Sequence, residues 1–170
     1  MNICIVHDSE LGNGERLANR ARERLNVEGH TVIVGHERTL TPTEVLASRP
    51  NLLIVGTAVR KFSLSPVTKR WIDELGTLLR GADSGADAPR SSGADAIARA
   101  AVFVTHALKK SGTERKGTRV RARLVSVLGE ERVYPRWISA RVVGPAGPFR
   151  DGVEEAALEE IDAVVRWAQE

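Results

Sequence analysis

The sequence predicts an α/β protein built on a parallel sheet with helices on both faces. Short apolar runs rich in β-branched residues recur at 2–6, 31–34, 52–55, 100–105 and 137–143. Stretches with apolar residues at helical spacing separate them. The third run, L-L-I-V, is continuous rather than alternating, as a strand covered on both faces requires. Five strands alternating with five helices imply parallel pairing through right-handed crossovers.

The first sixteen residues organise the chain. The run N-I-C-I-V stops at His7 and Asp8, and the polar loop S-E-L-G-N-G follows. From Glu15 the period changes: Leu17, Ala18, Ala21 and Leu25 share one helix face, with Arg16, Arg20, Arg22 and Arg24 elsewhere. A loop feeding a helix N-terminus presents unpaired N–H groups and the positive end of the helix dipole, which favours an anion. A turn that binds nothing in particular is the alternative.

Further along, Gly29 is placed to cap the first helix in a left-handed conformation. Thr41 and Pro42 read as N-cap and first residue of a short second helix that ends before Pro50. After the third strand, residues 56–62 (G-T-A-V-R-K-F) read as a loop. Ser65-Pro66 opens a third helix carrying Val67, Trp71, Ile72, Leu75 and Leu78. Residues 81–96 are dominated by Gly, Ala, Ser and Asp and read as a mobile surface insertion within a single domain spanning 1–170. A basic run from Lys109 to Arg123 leads into a helix with Val120, Leu124, Val125 and Leu128 on one face. The turn G-P-A-G-P precedes a last amphipathic helix bearing Ala156, Ala157, Ile161, Val164, Val165 and Trp167.

A chain of 170 residues is long enough to bury a core without disulfides, and its single cysteine, Cys4, permits no internal pairing. Lying among apolar neighbours, Cys4 reads as an inert buried thiol. No apolar run approaches the ~20 residues of a membrane span, and the N-terminus enters a strand directly. A cytoplasmic location is expected by elimination.

The run V-H-D-S-E-L-G-N-G-E resembles the phosphate-binding loop of the flavodoxin family, with Ser9, Gly12, Asn13 and Glu15 matching and Leu11 and Gly14 standing where threonines are usual. G-T-A after strand three and G-P-x-G-P before the last helix are similar to other family segments. The resemblance implies a flavodoxin-like three-layer α/β/α sandwich, with a five-stranded parallel sheet in the order 2-1-3-4-5. It places a ligand crevice at the carboxyl ends of strands one and three, where the order reverses. It further implies FMN as cofactor and an unidentified redox partner. The residues it brings to the cofactor are Ser9, Glu10, Leu11, Gly12, Asn13 and Gly14 from the first loop, Thr57, Ala58, Val59, Arg60 and Phe62 from the second, and Thr105 and His106 from the third. Phe62 is the aromatic that would stack on the flavin. Arg60 and Lys61 would be cations beside its pyrimidine edge, or a docking point for an acidic partner or substrate phosphate, if they are not simply solvated. With two hydroxyls absent, FMN affinity is expected to fall about tenfold or more, and Leu11→Thr and Gly14→Thr are expected to restore it.

Three functions stay open: an FMN-binding electron carrier or small reductase, a domain of this fold that has lost its flavin and serves as a binding or regulatory module, and a flavodoxin-type quinone reductase or protoporphyrinogen oxidase, which G-T-A-V-R resembles. A dinucleotide fold could use Gly12 and Gly14 with Glu37 some 20 residues on, but residues 7–11 intervene between strand and glycines and the third glycine is missing. A phosphorylatable receiver lacks its aspartate after strand three. His7 and His106 would lie roughly 10 Å apart, with one strand between them, too far for one metal ion to bridge. His30 and His36 read as turn and surface residues, and no catalytic triad is readable. The basic run lacks interleaved aromatics and a nucleic-acid-binding motif, so a solvated helix and loop is favoured over nucleic acid.

Overall fold

The computed structural model describes residues 1–60, 63–83, 96–107 and 110–170, with the backbone alone at 60, 63–64, 82–83 and 110–111. In chain order the elements are β1 (Asn2–His7), α1 (Asn13–Val27), β2 (Thr31–His36), α2 (Pro42–Ser48), β3 (Leu52–Arg60), β4 (Ser63–Leu64), α3 (Pro66–Asp83), β5 (Arg99–His106), α4 (Lys110–Leu128), a 3₁₀ turn (Glu130–Arg132), β6 (Ile138–Arg141) and α5 (Val153–Gln169). The sheet runs β2-β1-β3-β5-β6, every neighbour parallel, with β4 returning antiparallel on β3. Counting the parallel strands alone, this is the expected order 2-1-3-4-5.

Alternation along the strands divides the core into two layers. Ile3, Ile5, Leu52, Ile54, Ala101 and Phe103 pack with Leu17 and Ala21 of α1 and Ile161 and Val165 of α5. Cys4, Val6, Leu53, Val55, Val102 and Val104 pack on the other face with Val45 of α2, Ile72 and Leu75 of α3 and Leu124 of α4. Burial pushes the Cys4 thiol up to about 12, so it stays protonated.

The helix boundaries follow from local chemistry. Thr41 accepts from the Glu44 amide while the Glu44 carboxylate accepts from the Thr41 amide, a capping box with Pro42 just inside. Gly29, at φ +84°, sits just past the end of α1.

Four expectations need correction. Residues 56–60 are strand, not loop: Gly56, Thr57 and Ala58 pair in register with Phe103, Val104 and Thr105. The third helix runs through Asp83, so residues 81–83 do not belong to an insertion; residues 84–95 of that segment lie outside the described residues. The basic run is helical from Lys110 onward, because α4 starts there rather than near Val120. On α5 Ala156 is exposed, and Leu158 takes the core position instead.

Candidate functional site

At the carboxyl ends of β1, β3 and β5, on the α1 side of the sheet, lies a cavity of about 350 Å³. Its near wall is the loop after β1. The Asp8 amide donates to the Gly56 carbonyl at 3.3 Å, holding the start of this loop against β3. Gly12 then turns the chain at φ +87° to serve as the N-cap of α1. That conformation is open to glycine and strained for other residues. Having no side chain, Gly12 itself supplies no cap to the first turn of the helix. The Ser9 hydroxyl instead accepts from the Gly14 amide at 3.1 Å, closing the loop on itself.

The floor is Ala58 and Thr105, adjacent on β3 and β5, and Val142 and Pro145 form the far wall. Asn13 donates from its side-chain amide to the Pro145 carbonyl at 3.3 Å, joining the two walls. Leu11, 52% exposed, also lines the cavity. The lining is largely apolar with a few polar groups, in the size range of small-molecule sites, ~300–1,000 Å³.

Of the residues singled out in the sequence, Ser9, Glu10, Leu11, Asn13, Gly14, Ala58, Val59, Thr105 and His106 line this cavity. Gly12 shapes it without lining it. Glu10 lies 3.7 Å from the Arg38 guanidinium. Thr57 is brought elsewhere: being one residue from Ala58 on a strand, it faces the opposite side of the sheet. There its buried hydroxyl donates to the Asp8 carboxylate at 3.3 Å and accepts from Thr68 at 3.0 Å. His106 contributes only its edge, since its ring nitrogens engage Thr113 and Ser139 on the α4 side. Arg60 ends β3, pairing with Ser63, and its side chain lies outside the described residues, as do Lys61 and Phe62. Ala107, Val142 and Pro145 were not anticipated as lining. Of these, the G-P-A-G-P turn carried a signal, and Pro145 lies within it.

His36 is not simply a surface residue: its ring stands edge-on to that of His7 at 5.5 Å. Burial, and then the neighbouring His36, holds His7 below the usual imidazole range. Among the described residues no three His, Cys, Asp or Glu side chains gather to hold a metal ion, and no helix is long and apolar enough to cross a membrane.

No protein-family model matches the sequence, and no curated protein matches it. Solved structures do match in three dimensions. A flavodoxin mutant from Pseudomonas aeruginosa superposes with a TM-score of 0.66 at 18% identity, over 98% of this chain and 99% of that one. A flavodoxin, WrbA-like protein from Agrobacterium tumefaciens gives 0.68 at 16% identity, over 99% and 97%. Rubredoxin oxygen:oxidoreductase from Desulfovibrio gigas gives 0.69 at 15% identity; the match covers 99% of this chain but 36% of that longer one. With its parallel strand order, its helices on both faces and these superpositions, the chain has the flavodoxin-like fold.

Proposed function

We propose that the crevice between the Ser9–Gly14 loop and the Ala58–Thr105 floor holds FMN, and that the protein is a small redox protein, either an electron carrier or a flavin-dependent reductase with a separate redox partner. The observation that carries this reading is the loop itself. Gly12 turns the chain into α1 without capping it, and apart from the Gly14 amide, which the Ser9 hydroxyl engages, first-turn N–H groups beside the crevice would be left for an anion. The residues fit the group: the loop would take the phosphate through neutral donors, and the apolar floor and far wall would receive the ring. Bound there, FMN would supply reversible uptake of one or two electrons. The protein's own part is to position the phosphate, exclude water with Leu11 and the Val142–Pro145 wall, and present one ring edge to a partner.

A second reading, a domain of this fold that works without flavin, is favoured by one specific feature. Two loop positions carry no hydroxyl, and the Ser9 oxygen already accepts from Gly14. Titration of FMN into purified protein, followed by quenching of flavin fluorescence, separates the two. Saturable binding is expected, weakened about ten- to a hundredfold by Ser9→Ala, since the phosphate would lose a charge-assisted bond and the loop its internal closure. Absence of saturation in the wild type would favour the flavin-free reading.

A further inference from the structure

On the other face of the sheet, between α4 and the edge strand β6, lies a larger cavity of about 630 Å³. The crevice reading leaves its contents unused. We propose that this cavity binds a small carboxylate ligand, held by Arg141 and the Ser139 hydroxyl.

Three arginines line the cavity, and two are already committed. Arg121 donates to the Tyr134 carbonyl and pairs with Glu130. Arg136 pairs with Glu160 at 2.8 Å and donates to the Tyr134 hydroxyl. Arg141 differs. Its Nε is buried without a hydrogen-bond partner, and its guanidinium forms no ion pair among the described residues. A desolvated donor on a permanently charged group is costly to leave unmet, and the terminal nitrogens of this guanidinium, which lines the cavity, match the two oxygens of a carboxylate.

The neighbouring groups supply a second donor. Ser139 precedes Arg141 by two residues on β6, so both project to the α4 side. Ser139 is exposed, and its hydroxyl lies 2.8 Å from Nε2 of buried His106, whose Nδ1 is 3.0 Å from the Thr113 hydroxyl. When the Ser139 hydroxyl donates to an anion, its oxygen accepts from Nε2–H, and Nδ1 then accepts from Thr113. The chain of hydroxyl, imidazole and hydroxyl is thus satisfied from end to end with the anion in place. Trp137, also on the cavity wall, offers a flat apolar surface for the body of the ligand. Glu114 lines the cavity from α4 and pairs with no cation among the described residues. It disfavours a second negative charge, which selects a monoanionic carboxylate over a phosphate dianion.

His106 borders both this cavity and the crevice across the sheet. A carboxylate here would therefore be separated from the crevice by little more than one imidazole. Its binding does not rest on the flavin reading.

The test is calorimetric titration of the flavin-free protein with benzoate, benzamide and phenyl phosphate. Benzoate is expected to bind saturably, benzamide at least tenfold more weakly, and phenyl phosphate more weakly than benzoate. Arg141→Met should weaken benzoate about ten- to a hundredfold, and Ser139→Ala several-fold, while Arg115→Met, on α4 outside this cavity, leaves it unchanged. Because Arg141 forms no ion pair among the described residues and Ser139 is exposed, both variants should fold, which a thermal melt checks. Equal binding of benzoate and benzamide, or unchanged benzoate affinity in Arg141→Met, would overturn the proposal. A preference for phenyl phosphate would overturn the carboxylate assignment. FMN binding in the same preparation is read separately, by fluorescence, so failure of one assignment leaves the other standing.

Discussion

Gly14 and Leu11 occupy equivalent places in the loop pattern but not in space. A Cβ built on Gly14 would lie 3.3 Å from Cβ and 3.5 Å from Oγ of Ser9. A threonine adds two more heavy atoms beyond that Cβ and would press on the hydroxyl that accepts from the Gly14 amide. Leu11 is half exposed and could carry a different side chain without displacing anything. The expectation that both threonine substitutions tighten FMN is therefore revised for one of them. Leu11→Thr should tighten FMN about 2- to 10-fold, the worth of one added neutral hydrogen bond. Gly14→Thr should weaken it. Tighter binding by Gly14→Thr in the flavin titration would show that Ser9 can move aside and that the loop closure seen here is dispensable. Spacing alone could not separate these two positions, because the constraint on Gly14 comes from Ser9 folding back over the loop.

At the scale of elements, α4 meets Trp137, the residue just before β6, through a glycine. A Cβ on Gly117 would fall 2.2 Å from the indole of Trp137, well inside contact distance. Two effects compete in Gly117→Ala. Alanine favours the helix by about 1 kcal/mol over glycine, whereas forcing an extra methyl into a filled space costs about 1–3 kcal/mol. The collision is with the ring itself rather than a flexible chain end, so the steric cost should win and Gly117→Ala should destabilise. In a Trp137→Ala background the sign should reverse. A double-mutant cycle by denaturant unfolding measures this, and additivity would mean the ring swings clear. The same contact explains why this helix was hard to read. Its first two turns are basic and carry Gly112 and Gly117, which weaken the helical pattern, yet helix forms from Lys110 because tertiary packing needs Gly117 at the contact. Strand β3 misled in the same way. G-T-A reads as a loop by composition, but Gly56 is required within the strand because Phe103 fills the place of its Cβ, at 2.0 Å.

Across the whole molecule, the strand order was legible because the apolar runs were bounded by turn chemistry and two helix ends by caps, at Thr41 and Gly29. The first wall of the crevice was legible for the same reason, from Ser9 to Gly14. What sequence could not show was the facing of side chains past the strand ends: Thr57 and Ala58 are neighbours in the chain, yet one joins the Asp8–Thr68 network and the other the cavity floor. Nor could it show which distant segments meet, and the seam between the first and last helices is the clearest case. Arg16 grips Glu154 through two bonds, and Arg24 reaches both Glu155 and Asp162, so α1 is tied to α5 across nearly the full length of the chain. Asp162 is the most buried carboxylate of this seam, 12% exposed. Burial raises its pKa, and the guanidinium of Arg24 at 2.7 Å only partly offsets the rise. Removing that guanidinium in Arg24→Met should raise the pKa further. A carboxyl whose folded pKa lies above its unfolded value of about 4 binds its proton more tightly when folded, so folding is favoured as pH falls through that window and disfavoured as it rises. Arg24→Met should therefore melt below the wild type at pH 7, and the gap should narrow steadily toward pH 4 as Asp162 takes up its proton. Adding Asp162→Asn should flatten the pH dependence of the gap, leaving the cost of the broken Arg24–Glu155 ion pair. A gap that stays constant between pH 7 and pH 4 would mean that Asp162 is already served by Arg166 or solvent, and that the seam joining the two ends of the chain does not depend on Arg24.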